Sequence, residues 1–317
     1  MIINAQGLRK TFTTKSRKGT QTVEAVRGVD LQVEEGEIFG VLGPNGAGKT
    51  TTIRMLATLI APDAGTAIVA GHDVRKEPTA VRRRLGYVSQ AGGVEDEVSA
   101  RAQIMLAAKI HGVADPRART EEILANLELS DLADRMGTTL SGGQKRRVAI
   151  ALGLVHSPPL LFLDEPTTGL DPQNRAALWD RIRALREQGT SVLLSTHYLD
   201  EADALCDRLV IVDHGLVVAQ GTPAALKHEV SGDVITLRLD DLTKAESLLA
   251  PHARDTRVDE DVLRVYVDDG EHALPALLRL LEESSLTLKS ISLDRATLDD
   301  VFLAKTGRSL RDTGATA

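Results

Sequence analysis

The chain has 317 residues, 42% hydrophobic and 26% charged, which excludes gross disorder and, at roughly 150 residues per domain, suggests about two domains. A formal charge of −7 and 3% aromatics argue against a basic nucleic-acid footprint and against base stacking. A single cysteine, Cys206, excludes an internal disulfide and fits a reducing compartment, while the lack of a long apolar run or signal core leads us to expect a chain that is neither membrane-spanning nor secreted.

The first stretch reads as short strands with turns, and Lys15 to Gln21 as a loop tip with Lys15, Arg17 and Lys18 solvated. Glu37 to Leu42 is an apolar run of buried-strand length, and Thr50 to Ile60 has helical spacing at Ile53, Leu56, Ala57 and Ile60. Between them lies Gly43-Pro44-Asn45-Gly46-Ala47-Gly48-Lys49-Thr50, a complete G-x-x-x-x-G-K-[ST] sequence. Its glycines let backbone N–H groups turn inward around phosphate oxygens. The helix that follows adds its positive N-terminal end. Lys49 supplies a point charge to the outer phosphates, and Thr50 offers Mg²⁺ a hydroxyl beside water and phosphate oxygen. Thr51 is counted in the same cradle.

From about 91 to 157 the pattern becomes helical, in Arg101 to His111 and Arg117 to Leu129, like an insertion between two halves of an α/β domain. Leu160 to Leu163 then reads as a buried parallel strand. Asp164 and Glu165 follow it, at the strand end where open α/β sheets bind ligands. Asp164 can hold Mg²⁺, and Glu165 can polarise a water for in-line attack on a γ-phosphate. An acidic turn after a core strand is ordinary by itself; joined to the phosphate cradle it indicates ATP chemistry.

Arg175 to Gln188 reads as a helix stopped at Gly189, and Ser191 to Leu194 as another buried strand. Alternating strands and helices imply a mostly parallel sheet covered on both faces. Gly221-Thr222-Pro223 ends this unit. Beyond it, strands at Val234 to Leu239, Val262 to Val267 and Leu286 to Leu293 alternate with helices at Asp241 to Leu249, Glu271 to Glu282 and Thr297 to Lys305. They suggest a small α/β accessory domain over 232–306, with 307–317 a polar, flexible tail. Cys206 and Trp179 read as packing residues. His72, His111, His156, His214, His228, His252 and His272 receive no role.

Further motifs fall in order. Leu140-Ser141-Gly142-Gly143-Gln144 resembles the signature of ATP-binding cassette (ABC) ATPases, and Gln90 after Gly86-Tyr87-Val88-Ser89 resembles their Q-loop glutamine. Gly169-Leu170-Asp171-Pro172 is similar to the D-loop, His197 in Ser195-Thr196-His197 to the switch histidine, and Phe12 to the adenine-stacking aromatic. The resemblance spans residues 1–221, with the helical subdomain at about 91–157. Thr167 to Pro172, Leu178-Trp179-Asp180, Ser195 to Asp203 and the terminal Ala296 to Phe302 resemble the daunorubicin/doxorubicin-resistance group of exporter ATPases. That group also has a C-terminal appendix like residues 232–306. Phe12 departs from the commoner Tyr, and Ala91 to Gln103 (AGGVEDEVSARAQ), which faces the permease in the family, matches only loosely. The run Lys145-Arg146-Arg147 reads as a solvated basic helix face.

The resemblance implies an ATPase that drives export of a drug or other hydrophobic compound through a separate integral-membrane permease, at the cytoplasmic face of the membrane. It implies a head-to-tail homodimer, with ATP held between the phosphate loop of one chain and Ser141-Gly142-Gly143 of the other. Glu165 would be the general base, His197 would fix the γ-phosphate, and Gln90 would report Mg²⁺ and water to the helical subdomain. Asp171 would serve the dimer seam, or only cap the helix behind Pro172; the seam is the favoured role. No nucleic acid is expected. A soluble ABC ATPase acting on ribosomes or nucleic acid is the alternative, disfavoured by the single cassette and net acidity. A nucleotide-responsive regulator is a third reading.

Overall fold

The chain opens with two long strands, β1 (Ile3–Ser16) and β2 (Gly19–Val33), in place of the short ones expected. They pair antiparallel as far as Ser16 opposite Gly19, so the expected loop at Lys15 to Gln21 is largely strand. Register shifts at Ala5/Leu8, Leu8/Arg9 and Lys10/Thr11 break the two-residue period, which hid the strand's length in the sequence. In this computed structural model the described residues are 1–16, 19–230, 232–259, 261–284 and 286–308. Arg17 and Lys18 of the basic tip, and 309–317 of the expected tail, lie outside them.

β3 (Ile38–Leu42) is buried throughout and leads into α1 (Lys49–Leu56). The expected helix ran on to Ile60; it stops early because Thr58 takes a left-handed φ of +59°. The N–H groups of Leu59 and Ile60 then return to the carbonyl of Arg54, which keeps Ile60 packed on the core. β4 (Ala64–Val69), β5 (His72–Asp73), α2 (Pro78–Arg83) and β6 (Leu85–Val88) follow. The helical segment comprises α3 (Ala100–Ile110), α4 (Pro116–Asn126) and α5 (Gly142–Leu154). Each begins where a polar side chain accepts a first-turn N–H: Ser99, Asp115 and Ser141. β7 (Leu160–Asp164), α6 (Pro172–Glu187), β8 (Ser191–Thr196), α7 (Leu199–Leu205), β9 (Arg208–Asp213) and β10 (Leu216–Gly221) complete the first unit, Met1–Gln220.

Two sheets carry this unit. A six-stranded sheet runs β10-β9-β3-β8-β7-β6, with β3 parallel to β8 and β9, and β7 parallel to β6 and β8. The α/β architecture expected from the sequence is therefore present. A second sheet, β2-β1-β4-β5, is antiparallel and was not anticipated. One hydrophobic cluster includes residues of both: Ile3, Leu8 and Val69 from the antiparallel sheet, Phe39 and Phe162 from the other. Cys206 is buried as expected, and a Cβ on Gly40 would lie 2.6 Å from its sulfur.

The second unit begins at Gly221 and contains α8 (Pro223–Val230), β11 (Asp233–Leu239), α9 (Leu242–Leu249), β12 (Asp255–Asp259), β13 (Val262–Val267), α10 (Gly270–Glu283), β14 (Leu288–Asp294) and α11 (Leu298–Thr306). Its sheet is antiparallel in the order β12-β13-β11-β14, a β-α-β-β-α-β arrangement. β12 escaped the sequence reading because it is a short edge strand, DTRVD, with little apolar alternation. Ile235, Leu237, Leu263, Val265, Leu277 and Leu281 build the core of this unit.

Candidate nucleotide-binding site

β3 delivers the chain into a turn that only glycine can make. A Cβ on Gly43 would sit 2.2 Å from the carbonyl oxygen of Val212, and one on Gly48, at φ +102°, 2.3 Å from that of Ala25. The loop from Gly43 through Pro44, Asn45, Gly46, Ala47 and Gly48 then meets the N-terminus of α1, where Lys49, Thr50 and Thr51 begin the helix. Lys49 is buried, and its Nζ donates to the carbonyls of Gly43 (2.8 Å) and Pro44 (3.0 Å). Burial lowers its pKa against the pull of Glu165 and Asp164. The ammonium lies 3.4 Å from Glu165 Oε1.

β7 ends in the acid pair. Asp164 is fully buried and accepts from Thr50 Oγ1 (2.9 Å) and Ser195 Oγ (2.6 Å), with the Tyr87 hydroxyl 3.5 Å away. Glu165 has φ +48°, a region costly for any residue with a side chain. Its N–H is held at 3.1 Å by both the carbonyl and the hydroxyl of Ser195. Its Oε2 accepts from Gln90 Nε2 (3.0 Å) and Thr168 Oγ1 (3.1 Å). His197 Nδ1 is 3.3 Å from the same oxygen, off the line that a hydrogen bond requires. Burial pushes the Glu165 carboxyl up, but His197, Lys49 and the Thr168 hydroxyl together outweigh it and hold the pKa at about 2.

Gln90, Lys49, Thr50, Asp164, Glu165 and His197 thus form one linked cluster at the ends of β3, β6, β7 and β8. The Thr50 hydroxyl and the Asp164 carboxylate, side by side at 2.9 Å, are hard oxygen donors of the kind Mg²⁺ takes, and the Gln90 amide oxygen is a third. These residues fit that ion.

Phe12, Ser141, Gly142, Gly143 and Asp171 stand outside the cluster. Phe12 lies on β1 opposite Val23, 43% exposed, with the Lys10 ammonium 5.7 Å from its ring centre. Ser141 and Gln144 cap α5 reciprocally. Gly142 borders a cleft of about 340 Å³ shared with Gln90, Thr168 and Leu170. A Cβ on Gly143 would meet the Asn174 side chain at 2.9 Å. Asp171 does cap α6: its two oxygens accept from the N–H (2.9 Å) and the side-chain amide (2.5 Å) of Asn174.

The basic run after the signature is not a solvated face. Arg146 is buried, donating to the carbonyls of Ser89 (2.6 Å) and Asp164 (3.0 Å), and burial lowers its pKa to about 10. Lys145 pairs with Asp96 at 2.6 Å, and Arg147 donates to the Leu127 and Glu128 carbonyls. Arg146 thus reaches from α5 to the ends of β6 and β7. Ser195 was likewise missed as a partner of both acids, although it stands two residues before His197. Trp179 is half-buried, and its indole N–H donates to the buried Glu201 at 3.2 Å.

A model of the ABC transporter family matches residues 26–168, and one of the C-terminal domain of DrrA1-3-like ATP-binding proteins matches 221–306. The chain is 44% identical to the daunorubicin/doxorubicin resistance ATP-binding protein DrrA of Streptomyces peucetius, over 98% of this chain and 96% of the relative. It is 40% identical to a Nod factor export ATP-binding protein I of Ralstonia nicotianae, over 98% and 95% respectively. Among solved structures, a dimeric ATP-binding cassette in a post-hydrolysis state with ADP and phosphate superposes with a TM-score of 0.63 at 26% identity, covering 69% of this chain and 98% of that one.

Proposed function

The chain belongs to the ABC transporter ATP-binding family, of the kind with a DrrA-like C-terminal domain, and on that premise we propose that it hydrolyses ATP to drive an exporter whose membrane-spanning part is a separate permease. The observation that carries the ATPase reading is the closed cluster in which Lys49 and Glu165 occupy each other at 3.4 Å. A triphosphate entering the loop competes for Lys49 with a higher charge. Glu165 then loses the ammonium that helps hold its pKa at about 2, and becomes a better base toward a water. Gln90 and His197, already at its Oε2, orient that water and the γ-phosphate. Thr50, Asp164 and Gln90 would hold Mg²⁺, which offsets phosphate charge.

Phe12 is exposed, as a stacking face for adenine must be. Ser141, Gly142 and Gly143 stand at the start of α5, where a hydroxyl and N–H groups suit the phosphates of a second chain's ATP. Two chains joined through two nucleotides would separate on hydrolysis, a population shift driven by differential affinity. The dimeric cassette to which this chain is similar supports that arrangement. No helix of the described residues is long and apolar enough to cross a membrane, so the transport path would come from the permease, with this chain at its cytoplasmic face. Drugs and other hydrophobic compounds are the cargo class that the resistance and export relatives support. Those relatives do not favour a soluble factor acting on ribosomes or nucleic acid. The C-terminal unit would brace the dimer or dock the permease.

The test is to isolate the tagged chain from gently solubilised membranes of its host. A polytopic membrane protein in stoichiometric amount is expected. A chain that stays soluble and brings down ribosomes, nucleic acid or nothing overturns the exporter reading and leaves the ATP site standing.

A further inference from the structure

His197 is 27% exposed at its side chain and carries no aligned hydrogen bond at Nδ1, so hydrogen bonding from that nitrogen does not fix its ring. The Glu165 carboxylate approaches that nitrogen to 3.3 Å, and the chain neighbour of His197 packs on the ring. The Tyr198 ring lies 4.1 Å from it, centroid to centroid, tilted by 40°. The Arg175 guanidinium lies 4.4 Å from the centre of the Tyr198 ring, within cation–π range. Arg175 is itself held by Asp200 on α7 at 2.9 Å. Its own N–H returns to the carbonyl of Asp171, the cap residue of α6. The Tyr198 N–H is fastened to Thr196 Oγ1 at 2.9 Å.

We propose that Tyr198 is a positioning residue for His197, and that Arg175 holds the Tyr198 ring in place, so that turnover depends on a three-group stack rooted in the first turn of α6. This rests on the reading of His197 as the group that fixes the γ-phosphate. The stack has a physical purpose. An imidazole attached to a strand end by one Cα can swing about two torsions, and a swing of an ångström moves it out of reach of a phosphate oxygen. A planar ring against it removes that freedom without using either ring nitrogen. The stack also joins two loops that do not touch in sequence: the turn at Asp171, which the dimer reading places at the seam, and the switch at His197. Closure of the seam would therefore be felt at the imidazole through α6.

The experiment compares steady-state ATP hydrolysis by the full-length chain with that of four variants: His197→Ala, Tyr198→Ala, Tyr198→Phe and Arg175→Gln. Thermal unfolding confines the comparison to a temperature at which all are folded. His197→Ala reads the premise and is expected to abolish turnover. Tyr198→Ala is expected to lower kcat by about tenfold with the KM for ATP within about twofold, because an aromatic contact is lost and the nucleotide contacts are kept. Tyr198→Phe, which keeps the ring, is expected to restore kcat to within about twofold of the parent chain. Arg175→Gln is expected to lower kcat by about threefold. A packing role alone would lower the unfolding temperature and leave kcat of the folded chain unmoved. Full kcat in Tyr198→Ala, or equal losses in Tyr198→Ala and Tyr198→Phe, overturns the stack. If Tyr198→Ala does not fold, full kcat in Arg175→Gln overturns it. Full turnover in His197→Ala instead removes the premise, and the two failures are told apart by that variant.

Discussion

The two units of this chain bury different things. In Met1–Gln220 the interior holds Glu37, Lys49, Arg146, Asp164, Glu165, Glu201 and Asp213 beside its apolar core. From Gly221 onward no charged or polar side chain is buried among the described residues. An unpaired buried charge is costly, and even a paired one seldom stabilises more than a well-packed hydrophobic group would. The buried side chains of the second unit are thus apolar among the described residues. The first keeps a charged interior: Lys49, Asp164 and Glu165 gather where β3, β7 and β8 end together, while Glu37 precedes β3 and Asp213 ends β9. The candidate site draws on that charged interior.

Breaking the charged interior should have the largest effect. Glu165→Gln is expected to retain ATP binding while turnover falls by about 10²–10⁴, the usual worth of a general base; a near-normal rate would remove that role. The same variant reads the acid limb of stability. The Glu165 pKa drops from 4.5 to about 2 on folding, so the unfolded chain binds more protons between those values. The parent should lose stability as pH falls through that window, and Glu165→Gln should lose less. Breaking the apolar unit should behave differently. Leu263→Ala, in the fully buried core of β13, is expected to take about 2–5 kcal/mol from the second unit. Calorimetry would then show an earlier transition for that unit while nucleotide affinity stays put; a parallel loss of affinity would mean that the two units do not divide the labour this way. The smallest effect sharpens the boundary. Asp171→Ala removes the α6 cap and should lower the unfolding temperature slightly. If Asp171 also serves the dimer seam, turnover will fall further than that loss explains; if turnover only tracks stability, capping is its whole role.

Most of the candidate site was legible because its residues are adjacent to one another or to a strand end. Gly43 to Thr50 form a contiguous run, Asp164 and Glu165 are neighbours, and His197 follows a buried strand by one residue. Each reads as chemistry within a short window. Arg146 reads as solvated in the sequence because its partners, the carbonyls of Ser89 just past β6 and of Asp164 at the end of β7, are backbone atoms, and no residue type announces a carbonyl. The contact of Tyr198 with Arg175 was not legible because Arg175 sits on α6, far from it in sequence. β12 and the length of β1 and β2 were hidden for a related reason: an edge strand and a bulged hairpin blur the alternation that marks a strand.

By itself the sequence determined the α/β class, the phosphate loop, the acid pair and the family resemblance, since these depend on local spacing and on residue types that few structures reuse by chance. Which groups meet is a matter of the folded chain: Lys49 against Glu165, Ser195 and Thr50 on Asp164, Arg146 between two strand ends, Arg175 behind Tyr198. The reason is that contact in a buried site is a property of distance in space, and the parallel strands whose ends carry most of these groups are connected through many residues.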